Sequence, residues 1–180
     1  MLNDRLALFS AILQRDTLKT LTMTDPWATL VALGAKRIET RSWATPYRGA
    51  LAIHVAKSLP MYAEAFCEEP VVQHLLDATG YTLHANARNN PRGLSLGCIV
   101  ALVWLDDVQR IASDFPADPV ERAFGNFAPG RYAWTFSQCY RLTEPLPARG
   151  ALGLWDWQPS VRFWQEIQAA HDRLREEVQR

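Results

Sequence analysis

The stretch WATLVALGAKRIETRSWATPYR, residues 27–48, holds a dense group of charged residues flanked by aromatic side chains. Four charges lie within six residues of it: Lys36, Arg37, Glu39 and Arg41. The apolar residues before Gly34 have helical spacing, and the alternation after it predicts a strand over 36–43. The stretch therefore predicts a short helix followed by a strand that carries the charges.

A strand with this many charges has two interpretations. It is either a solvated edge strand, whose charges discourage pairing with another chain, or a surface for nucleic acid. Single-stranded nucleic acid needs cations for its phosphates and ring faces for its bases, at roughly 1–3 kcal/mol per stacked base. Basic and aromatic residues around the strand favour the second interpretation, and the predicted nucleic-acid-binding set is Trp27, Lys36, Arg41, Trp43, Tyr47, Arg48, His54 and Lys57.

The composition limits the kinds of partner and compartment. Hydrophobic residues make up 48% of the 180 residues, which excludes wholesale disorder. The 19 basic and 19 acidic residues cancel, so nucleic acid would have to bind a local basic patch. The three cysteines form no Cys-x-x-Cys pair, so neither a disulfide framework nor a zinc knuckle is predicted, and a reducing, cytoplasmic location is expected.

The order of elements predicts an α+β fold. Strands are predicted over 18–23, 36–43, 50–55, 96–105, 131–140 and 151–157, and helices over 3–14, 27–33, 61–66, 71–78 and from 161 onward. Residues 80–93 and 114–130 are predicted to be connections, and 143–149 a turn. Five or six short strands punctuated by Gly and Pro predict a small closed or half-closed barrel with helices outside. The predicted organisation is an N-terminal helix (1–17), a barrel domain (18–158) and an amphipathic C-terminal helix (159–180).

The charged strand also carries a family signature. The spacing Gly34-x-Lys36-x-x-Glu39-x-Arg41 resembles the Gly-x-Lys-x-x-Glu-x-Arg motif of the ASCH family, whose members adopt a PUA-like β-barrel. The resemblance extends over about residues 20 to 157 and is strongest to the branch found in activating signal cointegrators. Further segments that carry it are Pro26-Trp27-Ala28-x-Leu30, Tyr47-Arg48-Gly49 and Gly153-Leu154-Trp155.

The resemblance implies a cleft below the motif that takes RNA, single-stranded DNA or a modified nucleoside. Some family members are ribonucleases or amidohydrolases that act on a modified cytidine. In the amidohydrolase branch the motif lysine works with a threonine three residues on and a distant glutamate, whereas Glu39 stands at the threonine position here. If the chain is an enzyme, the resemblance places catalysis on Lys36 and Glu39; whether it is an enzyme stays open.

Lys36 itself has two possible roles. It can bind phosphate as a simple cation, which is the preferred interpretation. It can also act as a nucleophile or base if partial burial and neighbouring arginines lower its pKa.

No cofactor or metal is predicted. His54 shares no metal-ligand spacing with His74, His84 or His171, and no glycine loop of the phosphate-cradling type is present. The longest clean apolar run, 98–105, is too short to span a bilayer, and the N-terminal apolar stretch is better interpreted as a helix than as a signal peptide. A protein partner bound through the terminal helix is a further hypothesis.

Overall fold

The computed structural model of the chain describes residues 2–78 and 93–179, so most of the predicted 80–93 connection lies outside the described residues. Six helices and six strands lie within those two ranges. The helices are α1 (Leu2–Leu13), α2 (Trp27–Ala32), α3 (Met61–Cys67), α4 (Pro70–Ala78), α5 (Pro119–Ala123) and α6 (Val161–Val178). The strands are β1 (Leu18–Met23), β2 (Ile38–Arg41), β3 (Gly49–Val55), β4 (Cys98–Arg110), β5 (Tyr132–Pro147) and β6 (Leu154–Trp157).

The six strands form one mixed sheet in the order β2-β5-β4-β3-β1-β6. The pair β1–β3 is parallel, and the other neighbours are antiparallel. In a flat sheet β2 and β1 would lie about 19 Å apart, because neighbouring strands are roughly 4.8 Å apart. Yet Arg41 of β2 donates from Nη2 to the backbone oxygen of Thr22 on β1 at 2.8 Å. The sheet therefore curls until β2 faces β1, and the predicted α+β class and half-closed barrel are confirmed.

Both faces of the sheet are buried, and β3 shows how the faces are divided. Leu51, Ile53 and Val55 belong to the core inside the curl, which α2 also enters. The alternate residues Ala50 and Ala52 belong to a second core that is closed by α1 and α6. All seven residues of β3 are buried as a result.

The terminal helix uses its apolar face inside the protein. Ser160 caps α6 by accepting from the backbone N–H of Phe163 at 3.3 Å. Phe163, Ile167 and Ala170 are buried in the core shared with α1 and the outer face of the sheet. The side of α6 that would most readily hold a protein partner is therefore packed against its own barrel.

Two predictions of irregular structure were wrong. Residues 143–147 are not a turn but the end of β5, where Leu146 and Pro147 pair with Ile99 and Cys98. The strand accommodates Pro145 because it falls within a register shift, where ladder hydrogen bonds are interrupted. The 114–130 connection contains the short helix α5, whose start signal was overlooked.

None of the helices in the described ranges combines the length and the apolar character needed to cross a membrane.

Candidate nucleic-acid interface

Lys36 of the charged motif is buried rather than displayed. Its side chain has no exposed surface, although it lies just before β2. The ammonium donates to the backbone oxygen of Ile38 and lies 3.6 Å from Glu39 Oε2. Burial lowers the pKa of Lys36, and the negative charges of Glu39 and Glu121 oppose that effect. In this arrangement the lysine is part of an internal charge cluster.

Glu39 and Arg41 continue this cluster across the barrel. Glu39 Oε1 lies 3.0 Å from Arg41 Nε, and the guanidinium of Arg41 reaches the Thr22 backbone as described above. Lys36, Glu39 and Arg41 thus form one chain of charges that ends on β1. The structure brings these three predicted residues together, and it links them to a part of the molecule that the motif itself does not include.

A second glutamate completes the surroundings of Lys36. Glu121 of α5 is 5% exposed and accepts the backbone N–H groups of Arg37 at 2.5 Å and Ile38 at 3.1 Å. Sequence reasoning missed this residue, yet a signal for it exists. Asp118-Pro119-Val120-Glu121 has an N-cap aspartate, a proline at the first helical position and a glutamate three residues after the cap, which together mark a helix start.

Gly125, in the connection after α5, closes the other side of the Lys36 ammonium. A Cβ built on it would lie 3.5 Å from Lys36 Nζ and 3.0 Å from a ring carbon of Phe127. A side chain at this position would therefore be in ordinary contact with the lysine but would crowd the ring of Phe127.

Three predicted binding residues brace the loop after β2. The indole of Trp43 packs edge-on against Trp134 at 4.7 Å between ring centroids. The hydroxyl of Tyr47 donates to the backbone oxygen of Ala50. Arg48 donates to the carbonyls of Thr45 and Tyr47, and to Asp107 Oδ1 at 3.0 Å. The side-chain polar groups of Tyr47 and Arg48 are thus engaged within the protein.

Trp27, at the start of α2, is placed apart from the charge cluster. Its ring stacks on Phe66 of α3 at 4.9 Å and 7° between planes, and Tyr62 lies 6.2 Å away. The remaining two predicted residues, His54 and Lys57, lie together at the end of β3. They line a cavity of about 870 Å³ whose walls also include Thr22, Leu96, Gly97 and residues 147–152.

His54 is 1% exposed and is held by the segment that follows β5. Its Nε2 lies 3.1 Å from the backbone oxygen of Ala148, and its ring packs edge-on against Trp155. Burial lowers the pKa of His54, while the neighbouring backbone of Ala148 and Gly97 acts in the opposite direction. The histidine is therefore favoured in its neutral form. Two cations, Lys57 and Arg149, are exposed on the walls of the same cavity.

A second cavity, of about 990 Å³, lies between α1, the end of α2 and β5. Its charged wall residues have mixed sign and include the lysine of the motif: Asp4, Arg5, Lys36, Arg37, Asp106 and Arg141. The smaller cavity, whose ionised wall residues are Lys57 and Arg149, suits phosphate better. Within residues 2–78 and 93–179, no three His, Cys, Asp or Glu side chains are grouped to hold a metal ion.

Comparison with known proteins agrees with the signature in the sequence. The family model described as the ASCH domain matches residues 21–144. Activating signal cointegrator 1 from Mus musculus is 36% identical over 87 residues, and the Homo sapiens protein is 34% identical over 87 residues. Each match covers 48% of this chain and 14% of the relative, so the chain corresponds to a small part of those longer proteins. Because the family match spans more than half of its length, the chain belongs to the ASCH domain family, whose fold is the PUA-like barrel.

Proposed function

We propose that this ASCH domain binds RNA or another single-stranded nucleic acid at the cavity where β1 and β3 end. The observation that carries the proposal is the hydrogen bond from Arg41 to the Thr22 backbone. It joins the family motif to a cavity that also contains His54, Lys57 and Arg149. The motif is therefore connected, through Thr22, to the cavity lined by the two predicted residues at the end of β3.

Lys57 and Arg149 are the proposed phosphate contacts. Both are exposed, and both lie on the walls of the same cavity. Because the chain as a whole is neutral, attraction to phosphates must come from such a local pair of cations. Lys36, Glu39 and Arg41 support this site structurally and do not contact phosphate themselves, since their charges are satisfied by one another and by backbone groups.

A salt titration of binding tests this proposal. Fluorescence anisotropy with a labelled single-stranded RNA octamer compares the wild type with the Lys57→Ala/Arg149→Ala double variant. We expect the variant to bind more weakly, with a slope of log Kd against log salt that is smaller by about 1.4. Each single-strand phosphate contact contributes about 0.7 to that slope.

The matched control removes two exposed arginines from α6, Arg173→Ala/Arg175→Ala. The net charge changes equally, so equal losses in the two double variants would mean that only overall charge matters. That outcome, or the lack of binding to any single-stranded RNA or DNA, would overturn the proposal.

A hydrolase acting on a nucleic acid or an acylated base is the second candidate, and one observation favours it. A lysine of lowered pKa lies 3.6 Å from Glu39 and feels the charge of Glu121, which is our candidate for the distant glutamate that the resemblance implies. Against it, Glu39 replaces the threonine, and the Lys36 ammonium is enclosed, so a substrate would need the 121–127 segment to move. Turnover of N4-acylcytidines or of an RNA pool by the wild type, lost in Lys36→Ala, is the result that would favour this candidate.

A further inference from the structure

His54 carries a buried hydrogen-bond acceptor that the protein leaves unused. A backbone oxygen can only accept, so the Nε2 atom facing Ala148 must carry the proton of the neutral ring. Nδ1 is then an acceptor, and it is buried without a hydrogen-bond partner. Buried polar atoms in folded proteins are nearly always paired, so an unpaired one that lines a cavity indicates a missing partner.

A hydroxyl group lies next to this acceptor. Thr22 Oγ1 accepts the indole N–H of Trp155 at 3.0 Å, which leaves its own hydrogen free to point elsewhere. A Cβ built on Gly150 would lie 2.8 Å from His54 Nδ1 and 3.2 Å from Thr22 Oγ1. The two polar atoms therefore lie on the same side of Gly150. The Cβ would also lie only 2.4 Å from His54 Cε1, so residue 150 packs close against the ring and leaves no room for a side chain.

The Thr22 side of this pair is fixed from two directions. Trp155 holds the hydroxyl, and Arg41 of the family motif holds the backbone oxygen of the same residue. Trp155 also packs edge-on against the ring of His54, with 5.7 Å between centroids. The acceptor and the hydroxyl are thus held in a defined orientation before any ligand arrives.

We propose that this corner of the cavity binds the edge of a nucleobase, with His54 Nδ1 accepting a base N–H and the Thr22 hydroxyl donating to the neighbouring ring nitrogen or carbonyl. Every base presents such a donor beside an acceptor. Lys57 and Arg149 on the same walls provide for the phosphate of that nucleotide, and a volume of about 870 Å³ is in the range of small-ligand pockets. This inference rests on the proposed function and adds the recognition of a base to the contact with the backbone.

The decisive experiment separates base recognition from backbone binding. A mixed-sequence RNA octamer is compared with an octamer of the same backbone whose sugars carry no bases, and nucleoside 5′-monophosphates form a third arm. For the wild type we expect roughly tenfold tighter binding of the base-bearing octamer, because a buried acceptor gains its missing donor. The monophosphate arm shows whether the pocket prefers a free nucleotide or a base within a strand as its ligand.

Two variants of His54 identify the acceptor. His54→Phe keeps a ring but has no acceptor, so it should reduce the preference for bases to less than about threefold. Its salt slope should stay that of the wild type. His54→Asn returns an amide oxygen near the position of Nδ1 and should restore part of the preference. Lys57→Ala/Arg149→Ala should instead weaken both octamers by the same factor.

A measurement on the unaltered chain guards against variants that fail to fold. The ¹⁵N chemical shift of His54 Nδ1 should move on addition of the base-bearing octamer or a monophosphate, and not on addition of the abasic octamer. Equal binding of the two octamers would overturn the base pocket and leave the proposed function standing. Binding of monophosphates without binding of either octamer would overturn the proposed function and leave the base pocket standing. Failure of all three ligands to bind would overturn both proposals.

Discussion

At the scale of single residues, Asp25 is a fully buried carboxylate that holds the start of α2. Its two oxygens accept the backbone N–H and the hydroxyl of Thr29 at 2.9 and 3.1 Å. Burial raises the pKa of Asp25 from 3.8 to about 6, although both hydrogen bonds from Thr29 act to lower it. The folded protein therefore takes up a proton on Asp25 at a higher pH than the unfolded chain does.

This difference predicts a pH-dependent stability. The contribution of protonated Asp25 is complete below pH 3.8 and is lost as the pH rises through about 6. Asp25→Asn removes the titration and keeps an amide that can bond Thr29. Measured by urea unfolding, the stability of the variant relative to the wild type should rise by about 2 kcal/mol between pH 4 and pH 8. Asp16→Asn, at an exposed aspartate, is the matched control, and a relative stability of Asp25→Asn that falls with pH would contradict the prediction.

At the scale of elements, the five-residue helix α5 determines how β2 begins. Asp118 caps it by accepting the N–H of Glu121 at 2.9 Å, and Glu121 in turn accepts from Arg37 and Ile38.

Asp118→Ala should cost about 1 kcal/mol of stability, the usual value of a lost cap. In this variant, hydrogen exchange of the Arg37 and Ile38 amides should accelerate more than exchange of the β3 amides does. Asp114→Ala, in the same connection but outside the helix, is the control, and unchanged exchange in the Asp118 variant would show that α5 does not hold β2.

At the scale of the whole molecule, closure of the barrel depends on Arg41. Its guanidinium joins Glu39 on β2 to the backbone of β1, and its side chain is 24% exposed. Arg41→Met should therefore lower the free energy of unfolding by about 2 kcal/mol, because hydrogen bonds of charged groups are lost at a partly buried site. Urea unfolding measures this loss.

Arg48 offers the matched comparison. It also bonds two carbonyls, in the loop after β2, and the carboxylate of Asp107 on β4, but its side chain is exposed. Arg48→Met should cost no more than about 1 kcal/mol, as exposed ion pairs do. Equal losses in the two variants would mean that the contact from Arg41 to Thr22 does not hold the barrel together.

The sequence by itself determined the family signature, the α+β class and most of the elements. Strand β1 runs over the predicted 18–23, and α6 occupies the predicted terminal segment, because alternation and helical spacing are local properties of the chain. Local sequence patterns gave a wrong prediction where strand pairing determined the structure instead. Prolines in 143–147 indicated a turn, but pairing with β4 and the register shift there keep the segment in β5.

Only the tertiary structure decided which residues of the candidate site are buried and which line a cavity. The burial of Lys36, the bond from Arg41 to Thr22 and the approach of Glu121 to β2 depend on how the sheet curls. The pocket around His54 depends on a segment 94 residues away, whose Gly150 packs close against the imidazole ring. Such contacts follow from strand register and loop approach over long sequence separations. The motif alone therefore indicated a region of the molecule without separating its buried residues from those that line the cavity.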